Sequence, residues 1–532
     1  MKPIASRPRF LLGLLPLIVA LCAPSAIVPT VVSTVPPAHI LETLPSTPTM
    51  LQGAVYYVAP TGNDANPGTL DKPWRTIQHA ADTLVAGETV YLRAGVYHER
   101  VMPQNSGGPG SEITYAAYPG ETPTLNGDGI TLPDDLAGLF EIASRSYIRL
   151  TGLRVINAGP FANNAAILVS DSEHVTIQNC TTSHTASSGI GVWGSQHIVI
   201  EGNTVEQAGL GGGQECITVA GADAFEVRNN TVLDCEKEGI DAKDGSSNGL
   251  IARNAVNHPR AVGIYVDAWD KPTHDITVSQ NIVFDSAESA GFTVASEMGG
   301  LLTNIRLENN IAYHNQTYGI EISRCCTESQ PMDGIVIVNN TLYENGNGVD
   351  WGGGIIADNA QAQNVVIRNN IASQNLTFQI AVAADIPAGN VTVDHNLIDG
   401  YRGYEDEVYG EDYVEGDPRF VDVASANFHL HSDSPAIDRG SATGAPNVDM
   451  DGDHRPAGAG YDIGADEWRT VAPTKVYLPL VGKSMAAVLS HPEPRPAGSR
   501  WDRRRKRARD EKPSASLRSP TGHPVGAGLA PA

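Results

Sequence analysis

The sequence predicts an all-β chain wound as a parallel β-helix solenoid, and three observations carry that prediction. A strand-and-asparagine phrase recurs ten times between Ile148 and Asn396, with copies such as Ile198-Val-Ile-Glu-Gly-Asn203, Phe225-Glu-Val-Arg-Asn-Asn230, Ile305-Arg-Leu-Glu-Asn-Asn310 and Val365-Val-Ile-Arg-Asn-Asn370. The first residues of successive copies lie 23 to 30 residues apart, a period that suits one coil of a solenoid. A second short strand, usually opened by Gly, follows in each coil: Gly189-Ile-Gly-Val-Trp193, Cys216-Ile-Thr-Val-Ala220, Gly239-Ile-Asp-Ala-Lys243, Gly263-Ile-Tyr-Val-Asp267, Gly291-Phe-Thr-Val-Ala295 and Gly319-Ile-Glu-Ile-Ser323.

In the first strand, alternation sends every second apolar residue inside. The closing Asn is expected both to adopt left-handed backbone and to hydrogen-bond its copy one coil away. In the second strand, positions two and four are apolar and face the core, so positions three and five form two outward columns. Column three reads Gly191, Thr218, Asp241, Tyr265, Thr293, Glu321, and column five reads Trp193, Ala220, Lys243, Asp267, Ala295, Ser323.

A solenoid grows by adding coils, so most of the 532 residues fit one domain. Lys2, Arg7 and Arg9 precede an apolar run from Phe10 to Ala23 and small residues near Ala26, the pattern of a secretory signal peptide over residues 1–26. Residues 27–53 read as a Pro-, Thr- and Ser-rich linker, 54–147 as the cap and first coils, 148–400 as the repeats, 401–470 as a closing block, and 471–532 as a basic, low-complexity tail. No second apolar stretch is long enough to cross a membrane, and a secreted or cell-surface monomer is expected.

The formal net charge of −24 excludes nucleic acid and anionic membrane as partners. It suits neutral glycans, or anionic glycans bridged by a divalent cation. No Gly-rich phosphate loop joins a strand to a helix, which excludes a nucleotide enzyme. Cys180, Cys216 and Cys235 fall in successive coils and are expected to fill the interior as small hydrophobes, because the five cysteines other than Cys22 are too few and odd in number for a disulfide framework.

The segment from Tyr56 through Trp74 to Gly87-Glu-Thr-Val-Tyr-Leu-Arg-Ala-Gly-Val-Tyr97 resembles the entry segment of extracellular right-handed β-helix proteins of the pectate-lyase-like superfamily. The resemblance implies a right-handed, single-stranded parallel β-helix with an N-terminal capping helix from Thr76. Asp417-Pro-Arg-Phe420, Ser434-Pro-Ala-Ile-Asp438 and Asp462-Ile-Gly-Ala-Asp-Glu467 resemble the C-terminal block of choice-of-anchor Q proteins. Within it, Asp449, Asp451 and Asp453 around Gly452 offer oxygen ligands for Ca²⁺, with a polar turn as the competing reading.

The densest functional run lies between residues 187 and 325. Asp241, Lys243 and Asp267 are the candidate catalytic residues, and Trp193, Tyr265, Trp269, Glu297, Glu321 and Arg324 the candidate substrate-binding ones. One coil and two residues separate Asp241 from Asp267, which places their backbones about 8 Å apart. That suits an inverting glycosidase, whose carboxyls stand about 6.5 to 9.5 Å apart. Lys243 is expected to stack beside Asp267 and hold it ionised, leaving Asp241 as the acid.

Glu238-Gly-Ile-Asp-Ala-Lys-Asp-Gly245, followed by Gly263-Ile-Tyr265, is similar in layout to pectate lyases that remove a proton with a lysine while acids bind Ca²⁺. Of the acids that this resemblance implies, only Glu238 matches, since Ala261, Val262 and Tyr265 stand at the other places. No lysine occurs between Lys271 and Lys475 to serve as that family's base, so elimination would fall to Lys243 or Arg324. Hydrolysis, elimination and a non-catalytic glycan-binding scaffold therefore all stay open.

Overall fold

The computed structural model describes residues 53–324, 329–347 and 351–470. The segments expected to be a signal peptide and, up to residue 52, a linker lie outside the described residues, as do Cys325, Cys326 and the basic stretch after residue 470. Three parallel sheets of 14, 13 and 10 strands run through the described residues, and each strand pairs with its counterpart one coil away. The 14-stranded sheet contains the strand-and-asparagine phrases, for example Gln196–Glu201, Asp223–Arg228 and Ser247–Ala252. The 10-stranded sheet contains the second strands, including Ile217–Ala220, Ile240–Lys243, Ile264–Ala268 and Phe292–Ser296.

The third sheet has no counterpart among the expectations. Most of its strands, such as Thr204–Glu206 and Thr231–Leu233, are three residues long. Three residues are too few to show an alternation that can be told from chance. Each coil therefore has three sides, with interior side chains from all three meeting in one core that includes Ile198, Val205, Ile217, Val227 and Ile240. Each such side chain contributes about 1.5 to 3 kcal/mol by leaving water.

The asparagines divide two tasks that the sequence reading gave to one residue. Asn229, Asn309, Asn339 and Asn369 have left-handed backbone, with φ of 53° to 56°. Their successors Asn230, Asn310, Asn340 and Asn370 turn inward as part of a ladder that runs Asn203, Asn230, Asn254, Asn281, Asn310, Asn340, Asn370, Asn396. At each rung the side-chain amide donates to the next Asn Oδ1 at 2.9–3.0 Å, which also accepts the backbone N–H of the donor residue. Cys180 takes the rung before Asn203, where its N–H donates to Asn203 Oδ1 at 2.9 Å. A second ladder of Asn315, Asn345 and Asn375 lines another corner.

The helix Ile77–Thr83 starts at Thr76, whose Oγ1 accepts the His79 N–H at 3.2 Å, and it buries Ile77, Ala80 and Ala81 in the main core. At the other end, residues 440–465 lie along the corner that holds the long ladder. Asn309 Nδ2 donates to Val448 O, Asn339 Nδ2 to Asp462 O and Asn369 Nδ2 to Ser441 O. The outward-pointing left-handed asparagines thus become the docking points of the closing block.

The cysteine expectation holds for Cys180, which is buried with a free thiol, and fails for the other two. Cys216 and Cys235, 19 residues apart in the sequence, form a disulfide with Cα atoms 5.8 Å apart. Nineteen residues bring the chain most of the way round one coil, so two cysteines that looked like separate core fillers meet. A loop of this size is expected to stabilise the fold by about 3 kcal/mol through the unfolded chain. Calorimetry of the Cys216→Ala/Cys235→Ala variant should show that loss, and an unchanged melting point would contradict the pairing.

Candidate functional site

The two outward columns of the 10-stranded sheet are not solvated. Asp241 is 2% exposed and Asp267 4%, and Thr293, Glu321 and Ala295 are buried as well. Stacked copies flank each residue at about 4.8 Å on either side. Loop side chains then reach back over the row, as Lys237 does to Glu215 and Glu297 does to Tyr265. Polar residues in such a place must find partners.

They find them in a cluster centred on Glu215, a residue that the sequence reading missed. Glu215 Oε2 accepts from Lys243 Nζ at 2.7 Å and from Thr218 Oγ1 at 2.8 Å, and Oε1 accepts from Lys237 Nζ at 3.1 Å. Lys243 Nζ also stands 3.2 Å from Asp241 Oδ2, and Lys237 Nζ stands 3.6 Å from Glu238 Oε2. Ser188 Oγ lies 2.7 Å from Thr218 Oγ1 and extends the network by one coil. Glu215 was discoverable: it precedes Cys216 as Glu238 precedes Gly239, and the two strands pair Ile217 with Ile240. Cys216 stood where the pattern shows glycine, which hid the equivalence.

The disulfide ties this cluster together. It joins Cys216, next to Glu215, to Cys235, two residues before Lys237. The acid and one of its ammonium partners are therefore linked through a short covalent path as well as by the sheet.

The expected pairing of Lys243 with Asp267 does not occur. Lys243 turns instead toward Glu215 and Asp241 in the preceding coil and its own strand. Burial works against the Lys243 ammonium, but Asp241 and Glu215 outweigh it and raise its pKa. Burial likewise opposes the Lys237 charge, and Glu238 and Glu215 overcome it. Burial would raise Glu215, yet Lys243 and Lys237 hold it below the ordinary carboxylate range. Burial raises Glu238, with the charge on Glu215 adding to it. Asp241 is raised well above its usual value by burial, against the pull of Lys243. Lys243 gives Glu215 the shorter contact, so Glu215 takes the negative charge first.

Asp267 is pushed up to about 10 by burial, and by the neighbouring charges of Asp241 and Glu297. The role expected of Asp267 is thus overturned: it keeps its proton where it was assigned an ionised carboxylate, and Asp241 is raised beside it. Four carboxyl groups face two ammonium groups here, and in a low-dielectric site that imbalance is relieved by retained protons. Asp267 Oδ1, Asp241 Oδ1, Glu238 Oε2 and Thr293 Oγ1 are buried without a hydrogen-bond partner, so this cluster has unspent polar capacity.

Of the other candidates, Tyr265 belongs to the site, donating its hydroxyl to Glu297 Oε1 at 2.5 Å. Trp193 stands two coils before Lys243, in register through Ala220. Its ring folds back over Gly191, where a Cβ would stand 2.2 Å from the indole, so glycine there makes room for it. Trp269 is 47% exposed at the rim. Glu321 lies two coils from Tyr265 through Thr293. Arg324 is drawn away from the cluster to Asp358 at 2.7 Å and Asp385 at 3.1 Å, and these acids raise its pKa. Neither Arg324 nor Lys243 is poised as a base.

The lyase resemblance implies Ca²⁺. That ion takes six to eight oxygen ligands at about 2.3 to 2.6 Å. Here the oxygens of Glu215, Glu238 and Asp241 already face two ammonium groups, and this arrangement does not fit the ion. The second Ca²⁺ candidate fares no better, because its acids diverge. Asp449 Oδ1 accepts the Asp451 and Asp453 N–H groups, Asp453 pairs with Arg469 at 3.3 Å, and Asp451 bonds His429 at 2.7 Å. His429, Asp451 and Asp466 bring three possible ligand atoms within 4.8 Å of one another on that block.

Three parallel sheets whose strands pair one coil apart define a parallel β-helix protein. The family model "Pel9A-like, right handed beta helix region" matches residues 56–385, and the chain belongs to that family. YwoF of Bacillus subtilis (strain 168) is 28% identical over 441 residues, covering 72% of this chain and 92% of that protein. Pectate lyase PEL9 of Emericella nidulans is 25% identical over 406 residues, covering 71% and 89%. The crystal structure of pectate lyase Pel9A superimposes with a TM-score of 0.51 at 18% identity, covering 79% of this chain and 97% of that one. No helix among the described residues is long and apolar enough to cross a membrane.

Proposed function

We propose that this is an exported carbohydrate-active protein that binds a polysaccharide along the outer face of the 10-stranded sheet and cleaves it by hydrolysis. One observation carries the choice of chemistry: the lysines are clamped as cations, while Asp267 holds a proton. A lysine acts as a base only when neutral, and Lys243 is held charged by two carboxylates. Asp267 is the proton donor to the leaving glycosidic oxygen. Glu297, one coil on and two residues further along, has its backbone about 8 Å from that of Asp267, within the separation that admits a water for inverting hydrolysis. In this reading Glu297, oriented by the Tyr265 hydroxyl, activates that water, and Trp269 and Trp193 stack on sugar rings. The disulfide supports export, since such bonds persist in oxidising compartments. Helix Ile77–Thr83 is read as the end cap of the solenoid, a role supported by its buried apolar face.

Mass spectrometry of products from neutral and uronate polysaccharides tests the chemistry. Fragments carrying one added water are expected. Unsaturated fragments would establish elimination and overturn the assignment, and an intact panel would leave a binding scaffold.

A further inference from the structure

We propose that Lys237 and Lys243 are built-in counter-ions standing where a divalent cation would otherwise sit, and that the face they serve takes a glycan without carboxylate groups. The second half rests on the carbohydrate-binding reading above.

The geometry argues for the first half. Each ammonium bridges two carboxyl groups: Lys243 spans Glu215 and Asp241 at 2.7 and 3.2 Å, and Lys237 spans Glu215 and Glu238 at 3.1 and 3.6 Å. Glu215, common to both bridges, is buried, and its side chain is held further by Thr218. A divalent cation entering here would have to displace two ammonium groups from their oxygens and leave them unpaired in a buried site, which is costly. The lysines supply the same two positive charges without an ion.

The charges around the rim argue for the second half. Lys271 is paired with Asp244 at 3.2 Å, Arg260 with Glu288 at 3.1 Å and Glu236 at 3.6 Å, and Arg324 with Asp358 and Asp385. The cations near this face are thus already engaged by the protein's own acids, in a chain whose formal net charge is −24. An anionic polymer finds repulsion here, and the cation that could bridge it has no seat. An uncharged sugar finds what it needs instead: exposed Trp269 and Met298 side by side, where Met298 N–H donates to Trp269 O, with Leu301 also exposed.

The test has two arms on the full-length protein. In the first, CaCl₂ alone is titrated calorimetrically into wild type, Lys243→Met and Lys237→Met/Lys243→Met, with thermal melts to verify folding. The double variant is expected to gain at least about tenfold in Ca²⁺ affinity over wild type. If the double variant melts early, the single variant decides by the same comparison. A wild-type protein that binds Ca²⁺ and loses it in Lys243→Met would overturn the counter-ion role.

In the second arm, retention is measured in gels containing a neutral β-glucan, a neutral xylan or polygalacturonate, with EDTA or with Ca²⁺. Retention by a neutral polymer, unchanged by EDTA, is the expected result. Ca²⁺-dependent retention by polygalacturonate would overturn the charge selection while leaving a carbohydrate-binding protein. Retention by neutral polymer without cleavage would overturn the hydrolase reading and leave this one standing. No retention by any polymer would remove the glycan half and leave the calorimetric arm to judge the lysines.

Discussion

Replacing Asp267 by Asn is expected to lower kcat on the cleaved polysaccharide by about 10²- to 10⁴-fold, the usual worth of a positioned general acid. KM should change little, because the amide keeps the shape of the side chain and loses only the transferable proton. Asp241→Asn should act differently. It removes one of the two carboxylates on Lys243, so its effect would reach the reaction through the lysine and should appear partly in substrate affinity. Wild-type kcat in Asp267→Asn would end the assignment of Asp267 as the acid.

The same substitution has a stability signature of definite sign. An aspartate in an unfolded chain loses its proton near pH 4, whereas folded Asp267 keeps it to about 10. Between those values the folded state holds the extra proton. Its stabilising contribution is complete below about pH 4 and is lost as the pH rises toward about 10. Asn does not titrate, so denaturation midpoints of Asp267→Asn should fall less steeply from pH 6 to 9 than those of wild type. A variant that becomes inactive while gaining relative stability at alkaline pH would place both effects on one proton. Parallel stability curves would mean that Asp267 is ionised after all.

The solenoid was legible because its signal is repeated. A single Ile-x-Val could arise anywhere, but ten phrases at one period leave few alternatives, and the interior places of Ile198, Val227 and Ile240 follow from alternation alone. The site was legible only in part, for a physical reason. Alternation tells which way Asp241 and Lys243 point, and both do leave the core on the side expected. It does not tell what covers that side, and most residues of the two outward columns are buried. Nor does it tell which of several carboxylates a lysine prefers. Lys243 could reach Asp267 in the next coil, and it chose Glu215 in the coil before, which also has a threonine and a second lysine to share the charge. Arg324 shows the same limit: its partners Asp358 and Asp385 lie 34 and 61 residues on, beyond any local pattern. The disulfide was missed by arithmetic, since an even cysteine framework was sought where one pair spanning a coil was enough.

The long Asn ladder predicts the largest structural penalty. Asn281 is fully buried at mid-solenoid and makes bonds in both directions. It accepts from the Asn254 N–H and Asn254 Nδ2 at 2.9 Å, and its own amide donates to Ile251 O at 2.9 Å and to Asn310 Oδ1 at 3.0 Å. Asn281→Ala leaves the Asn254 N–H, the Asn254 amide and the Ile251 carbonyl without these partners. Buried groups left unpaired cost about 1 to 3 kcal/mol each, so a loss of about 3 to 6 kcal/mol is expected in urea denaturation. Asn257→Ala, at a partly exposed strand end outside the ladder, should cost under about 0.5 kcal/mol. That contrast separates the ladder from asparagine in general. Because coils stabilise one another through nearest neighbours, a break at Asn281 should also loosen the coupling between the halves on either side and broaden the transition. The ladder lines an interior corner of the 14-stranded sheet, whereas the acid–lysine cluster sits on the outer face of the 10-stranded one. Molecules of Asn281→Ala that remain folded should therefore keep the wild-type affinity for glycan. If this variant instead lost binding while retaining its stability, the division between a corner that holds the coils and a face that meets the ligand would be wrong.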